Sequence, residues 1–207
     1  MIIGGIVAIA LAGLLYWRNL HPSDATLPSA PTQEISQTSN VGHHSASELK
    51  KYTVPPNDPK FIDIPALNIK TTEVLRLGIL KDGSIATPST AYDTGWYDAS
   101  VLPGQTGAMF IYGHVAGWSV HTDGIFWNLH NIRPGNKIII TRGDDKTFTY
   151  VVNTTKVYQA DSVDMGAVLS PYKPNTAGLN LMTCTGNYNA QQESFSQRLV
   201  VFSTLSS

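Results

Sequence analysis

Cys184 is the only cysteine in the chain. A lone thiol cannot form an intramolecular disulfide, so it is either an inert core residue or a nucleophile. Leu179-Asn180-Leu181-Met182 reads as a strand, Thr183-Cys184-Thr185-Gly186 ends it, and a polar loop follows. A nucleophile at a strand's end faces solvent while the sheet fixes its position. An ordinary thiol ionises near about pH 8.5, so at neutral pH it needs a basic neighbour. Six histidines are available. His21, His43 and His44 fall in a polar N-terminal stretch, and His130 in a short helical stretch from Phe126 to Asn131. His114 directly follows the apolar run Ala108 to Tyr112 and Gly113, also at a strand exit, whereas His121 sits in the polar loop Gly117 to Gly124. His114 is therefore the better placed base, with His121 the alternative. Amide chemistry also needs a donor where the tetrahedral oxyanion develops. Arg198 opens the apolar strand Leu199 to Phe202 and is a candidate, although by type alone it reads as a surface guanidinium of small energetic consequence.

Strands must position these groups. Phe61 to Ile64, Lys70 to Leu77, Gly107 to Tyr112, Lys137 to Thr141, Thr147 to Val152, Thr154 to Tyr158, Leu179 to Thr183 and Leu199 to Phe202 show alternating or short apolar patterns. Turn clusters such as Arg133-Pro134-Gly135-Asn136 and Arg142-Gly143-Asp144-Asp145 divide them. Helical spacing is confined to a turn or two around Phe126 to Asn131 and Val163 to Ser170. The pattern predicts an all-β closed barrel or sandwich.

Lys plus Arg number 14 against 15 Asp plus Glu, a formal net charge of −1, which excludes the basic excess of a nucleic-acid binder. One cysteine likewise excludes a four-cysteine zinc site and a disulfide-stapled scaffold. Ile2 to Trp17 carries no charged side chain. As a helix it reaches about 24 Å, which flanking residues extend toward the roughly 30 Å hydrocarbon core. A signal peptide would show a small-residue cleavage site after the run, where Tyr16-Trp17-Arg18 stands instead. Residues 1–20 are thus expected to be a membrane anchor, although Arg18 on its C-terminal side runs against the positive-inside rule. His21 to Lys60, rich in Ser, Thr, Pro, Asn and Gln, reads as a flexible tether, and residues 61–207 as one domain.

Cys184, His114 and Arg198, in this order of strands, resemble the sortases, cysteine transpeptidases of Gram-positive-type surfaces. Leu181-Met182-Thr183-Cys184 is similar to the end of the family's Thr-Leu-x-Thr-Cys strand, with Asn180 where Thr is common. Phe110-Ile111-Tyr112-Gly113-His114-Val115 resembles the histidine segment, and Ser196-Gln197-Arg198-Leu199-Val200-Val201-Phe202 the arginine strand. Phe61-Ile62-Asp63-Ile64-Pro65 adds to the likeness. Thr94-Gly95-Trp96-Tyr97 and Leu129 with Arg133-Pro134-Gly135 resemble the class E and F branches.

The resemblance implies a closed eight-stranded β-barrel and two-step acyl transfer. Cys184 would attack the Thr-Gly carbonyl of an LPXTG-like C-terminal sorting signal, and His114 would shuttle the proton. Arg198, helped by Thr183, would hold substrate and oxyanion, and the acyl group would pass to an amine on a peptidoglycan precursor or pilin. No cofactor is implied. No required metal is expected either, since Asp93, Asp98, Asp144, Asp145, Asp161 and Asp164 are scattered without a cation-loop motif. The enzyme would be held at the cell membrane with its catalytic domain outside. The alternatives are an L,D-transpeptidase, whose usual Ser-x-Gly-Cys is not matched here, and an inactive surface binding module.

Overall fold

A computed structural model describes residues 44–117 and 122–206. The expected anchor, residues 21–43 of the tether, Trp118 and His121 lie outside the described residues. Among those described, no helix is long and apolar enough to cross a membrane.

Eight strands close into a barrel: β1 (Pro59–Ile64), β2 (Ile69–Leu77), β3 (Thr94–Tyr97), β4 (Gly107–Gly113), β5 (Lys137–Arg142), β6 (Thr147–Gln159), β7 (Ala177–Asn189) and β8 (Ser194–Leu205). Around the barrel they run β1-β2-β3-β4-β7-β8-β6-β5. The β2–β3 and β4–β7 pairs are parallel and the others antiparallel. This is the closed eight-stranded architecture expected from the resemblance. Two runs expected as separate strands, Thr147 to Val152 and Thr154 to Tyr158, are one strand whose register shifts between Val152 and Thr154. A bulge bends a strand without ending it.

Period-two alternation decides what each strand buries. Met109, Ile111, Leu179, Leu181, Leu199 and Val201 point inward and join Ile62, Ile64, Ile138, Ile140 and Tyr150 in the barrel core. The alternate residues, Phe110, Tyr112, Val200 and Phe202, lie on the outer face and form a second cluster with Val168. Leu77, Ile85, Val163 and Met165 pack against that second cluster. Both faces of β4 and of the stretches 178–181 in β7 and 199–203 in β8 are therefore buried, which is why these stretches read as continuous apolar runs.

The end of the expected tether is ordered against the barrel. Ala46–Lys51 forms a helix, α1, closed by a capping box. The Glu48 N–H donates to the Ser45 hydroxyl oxygen, and the Ser45 N–H donates to the Glu48 carboxylate at 2.7 Å. Tyr52 follows, its hydroxyl donating to the Val74 carbonyl at 2.8 Å and its ring tilted against Phe61. Polar composition concealed this segment because the Tyr52 hydroxyl and ring and the His44–Asp93 contact, rather than an apolar stripe, hold it.

Candidate active site

Three adjacent strands carry or lead into the predicted residues: β4 runs into His114, β7 holds Cys184 and β8 holds Arg198. In β7, Leu179 and Leu181 face the core, so parity turns Cys184 outward. The same count turns His114 outward just past β4, and Arg198 outward in β8. The parallel register pairs Tyr112 with Met182, and the Thr183 hydroxyl donates to the Gly113 carbonyl, so the chain entering His114 runs alongside the chain entering Cys184. Across the other edge of β7, Cys184 pairs directly with Arg198. Neighbouring strands lie roughly 4.8 Å apart, so the paired Cys184 and Arg198 are close neighbours on one sheet.

Cys184 is half-buried. Burial pushes its thiol above the ordinary range, and the nearby Arg198 charge pulls the other way. The resting sulfur is therefore mostly protonated at neutral pH, so a nucleophilic role would require a base to take its proton. Gly186, two residues on, has φ +82°, a conformation that favours glycine, and its Cβ would meet Ser196 and Gln197. Beyond it the β7–β8 register shifts, between Thr185 and Tyr188.

His114 is fixed at three points. Its carbonyl accepts the Phe126 N–H at 2.9 Å, and the Gly124 backbone lies so close that a Cβ there would sit 2.4 Å from the His114 carbonyl oxygen. The ring Nε2 is 2.9 Å from the Pro88 carbonyl oxygen. A carbonyl only accepts, so Nε2 carries a hydrogen and Nδ1 is the nitrogen left to accept a proton from substrate or thiol. Sequence reading missed Pro88 because the group that acts is a backbone carbonyl in a loop, which no side-chain type advertises.

The Arg198 guanidinium donates through Nη1 to the carbonyls of Phe195 and Gln197, both at 2.8 Å, and through Nη2 to the Ser194 hydroxyl at 3.2 Å. Among the described residues it has no carboxylate partner. Its charge is held in place yet not neutralised, as an oxyanion site requires.

Thr183 is placed differently from the implied role. Parity turns it into the barrel, where it is 4% exposed, and its hydroxyl donates to the Gly113 carbonyl at 2.8 Å. The side chain ties β7 to the residue before His114, so it acts as a positioning residue. Asn180, which stands where the resemblance favours Thr, is fully buried and its Nδ2 donates to the Val168 and Ser170 carbonyls at 2.8 and 2.9 Å. It clamps the segment around α2 (Met165–Val168) onto the outer face. The segments expected from the E and F branches form β3 and the turn entering β5.

Among the described residues, one group of His, Asp and Glu side chains has the spacing to hold a metal ion, and it includes neither Cys184 nor His114. A cavity of about 230 Å³ lined by Asn68, Ile69, Tyr92 and Gly124 also contains none of the three site residues.

A family model for the Sortase domain matches residues 62–206. Among solved structures, the chain is similar to a lid mutant of sortase A from Corynebacterium diphtheriae, at 22% identity and a TM-score of 0.55, covering 78% of this chain and 76% of that one. It is similar to sortase C-1 from Actinomyces oris at 19% identity and a TM-score of 0.55, covering 78% and 80%. A sortase D5 transpeptidase from Clostridium perfringens aligns at 22% identity with a TM-score of 0.52, covering 79% of this chain and 90% of that one. These structural likenesses bear on the fold. The sequence matches none of the curated proteins.

Proposed function

The chain belongs to the sortase family of cysteine transpeptidases, and from that premise we propose that Cys184, His114 and Arg198 cleave an LPXTG-like C-terminal sorting signal at its Thr-Gly bond. Sγ of Cys184 attacks the Thr carbonyl carbon while its proton passes to Nδ1 of His114. Arg198 stabilises the oxyanion as the tetrahedral centre forms. Collapse breaks the C–N bond, His114 returns the proton to the leaving glycine amine, and an acyl thioester remains on Cys184. An incoming amine then gives its proton to His114, attacks the thioester carbonyl and expels the sulfur, which takes that proton back from His114. The acceptor is an amine of a peptidoglycan precursor or of a pilin lysine. The observation that supports this reading is register: Cys184 pairs with Arg198 across β7 and β8, and β4 runs parallel to β7 toward His114.

The reading extends to location. The uncharged run Ile2 to Trp17 anchors the enzyme in the cell membrane and the catalytic barrel acts outside it. Neither the L,D-transpeptidase nor the inactive-module alternative gains support from the family match.

The test is cleavage of a fluorogenic LPXTG peptide by the full chain in detergent, with and without an added amine. Cys184→Ala and His114→Ala should each lose more than about a thousandfold in kcat/KM. Turnover retained by Cys184→Ala ends the nucleophile assignment, and loss on His121→Ala with retention on His114→Ala transfers the base to the loop histidine. Release of the protein from membranes by alkaline carbonate overturns the anchor.

A further inference from the structure

Apart from the catalytic residues, donors from three separate stretches of chain converge. His44 precedes α1, Glu73 lies on β2 and Asp93 immediately precedes β3. One ligand atom from each lies within 4.8 Å of the others. His44 Nε2 is 2.9 Å from Asp93 Oδ1 and 3.8 Å from Glu73 Oε2. The two carboxylates are 7% and 3% exposed. Asp93 is oriented by the Thr90 hydroxyl, which donates to Oδ2 at 2.7 Å.

Glu73 is the unexplained member. Among the described residues its carboxylate accepts no hydrogen bond, and it lines a cavity of about 60 Å³ together with His44 and Asp93. Lys70 stands on the same wall without forming an ion pair with either carboxylate. Two ionised carboxylates in this position carry two negative charges against at most one from the imidazole. A buried charge left unpaired is costly, and a bound cation removes the imbalance.

We propose that His44, Glu73 and Asp93 form a binding site for a divalent transition-metal ion, Zn²⁺ being the best match to one imidazole and two carboxylates. Zinc takes mixed nitrogen and oxygen ligands in four-coordinate sites, so three protein ligands leave one position for water. Calcium takes six to eight oxygens and is poorly served by a site with a nitrogen donor. On binding, Nε2 of His44 gives up its hydrogen-bonded contact with Asp93 and presents its lone pair to the metal. The ligands come from three stretches far apart in the chain, so no metal motif marks them. The ion ties the chain entering the barrel to the Thr90–Asp93 turn, two residues beyond the Pro88 carbonyl that holds His114. The site is independent of the catalytic reading.

The experiment is calorimetric titration of ZnCl₂, and separately CaCl₂, into the full chain in detergent. It uses Cys184→Ala as the background to remove the thiol as a competing ligand. The expected result is one saturable Zn²⁺ that raises the melting temperature, with affinity weakened more than about tenfold by His44→Ala and by Glu73→Gln. Glu73→Gln replaces a charge with an isosteric amide, so its melting temperature without metal should match or exceed that of the background and show that it folds. Absence of saturable zinc binding, zinc binding that both substitutions leave unchanged, or preferential calcium binding would each overturn the proposal.

Discussion

Replacing Thr183 by Val separates two roles that its position beside Cys184 would otherwise confuse. The Thr183 hydroxyl lies inside the barrel and donates to the Gly113 carbonyl at 2.8 Å. Val keeps the shape and removes the donor. A neutral hydrogen bond contributes about 1 kcal/mol net, rising to about 3 kcal/mol if the abandoned carbonyl finds no other donor. For a domain of this size each kcal/mol moves the melting temperature by roughly 2–4 °C, so the expected fall is about 2–12 °C. Gly113 precedes His114, and a displacement of about 1 Å in a catalytic group can remove a hundredfold of rate. Peptide cleavage should therefore fall by about tenfold to a hundredfold together with stability, and Thr183→Ser should restore both. A hydroxyl aimed at the oxyanion would behave otherwise: kcat would fall by about 10²–10³ while the melting temperature stayed put. Calorimetry beside peptide kinetics reads both quantities. A Val variant that melts like the parent refutes the positioning argument.

Alkylation of Cys184 by iodoacetamide should rise with pH about a midpoint above that of a free cysteine, because burial holds the thiol protonated. Arg198→Ala should move the midpoint higher still, and a midpoint at or below the free value contradicts the desolvation argument. The linked stability effect has a fixed sign. The unfolded thiol ionises first, so the parent should lose stability relative to Cys184→Ala as pH rises through the ordinary thiol range, and not below it. Asn180→Ala removes two bonds to the Val168 and Ser170 carbonyls and should cost about 1–4 kcal/mol, with faster hydrogen exchange in residues 165–170. Unchanged exchange there would remove the clamp. A chain beginning at residue 44 should melt several degrees above one beginning at residue 61, which lacks the Tyr52–Val74 bond and the Pro59–Arg142 pairing. Equal melting would return residues 44–60 to the tether.

What the sequence reveals and what it hides divide along a physical line. Parity is legible: once Ala108 to Tyr112, Leu179 to Thr183 and Leu199 to Phe202 are read as strands, alternation alone puts His114, Cys184 and Arg198 on a single kind of face. The short helical stretches are legible too, Phe126 to Asn131 appearing as a 3₁₀ turn over Trp127–Asn131 and Val163 to Ser170 containing α2. The helix α1 had a readable start, since Ser45 and Glu48 have the spacing of a capping box, but the surrounding polar composition outweighed it. Hidden are the contacts made by groups that side-chain type does not announce. The Pro88 carbonyl behind His114 is one. The inward turn of Thr183 is another, because resemblance assigns a role to the residue beside the nucleophile while parity assigns it to the interior. The parallel pairing of β2 with β3 and of β4 with β7 is a property of chain crossing and leaves no local pattern.

The Thr183–Gly113 bond joins residues 70 positions apart in the chain. The segments carrying His114 and Cys184 are thus joined by a nonlocal closure, with β5 and β6 lying between them in the chain. Such long-range pairings are slow steps in folding. A molecule in which β4 has not yet paired with β7 holds a sulfur flanked by its guanidinium but without the imidazole segment beside it. Recovery of peptide cleavage after dilution from denaturant is accordingly a clock for completion of the whole barrel.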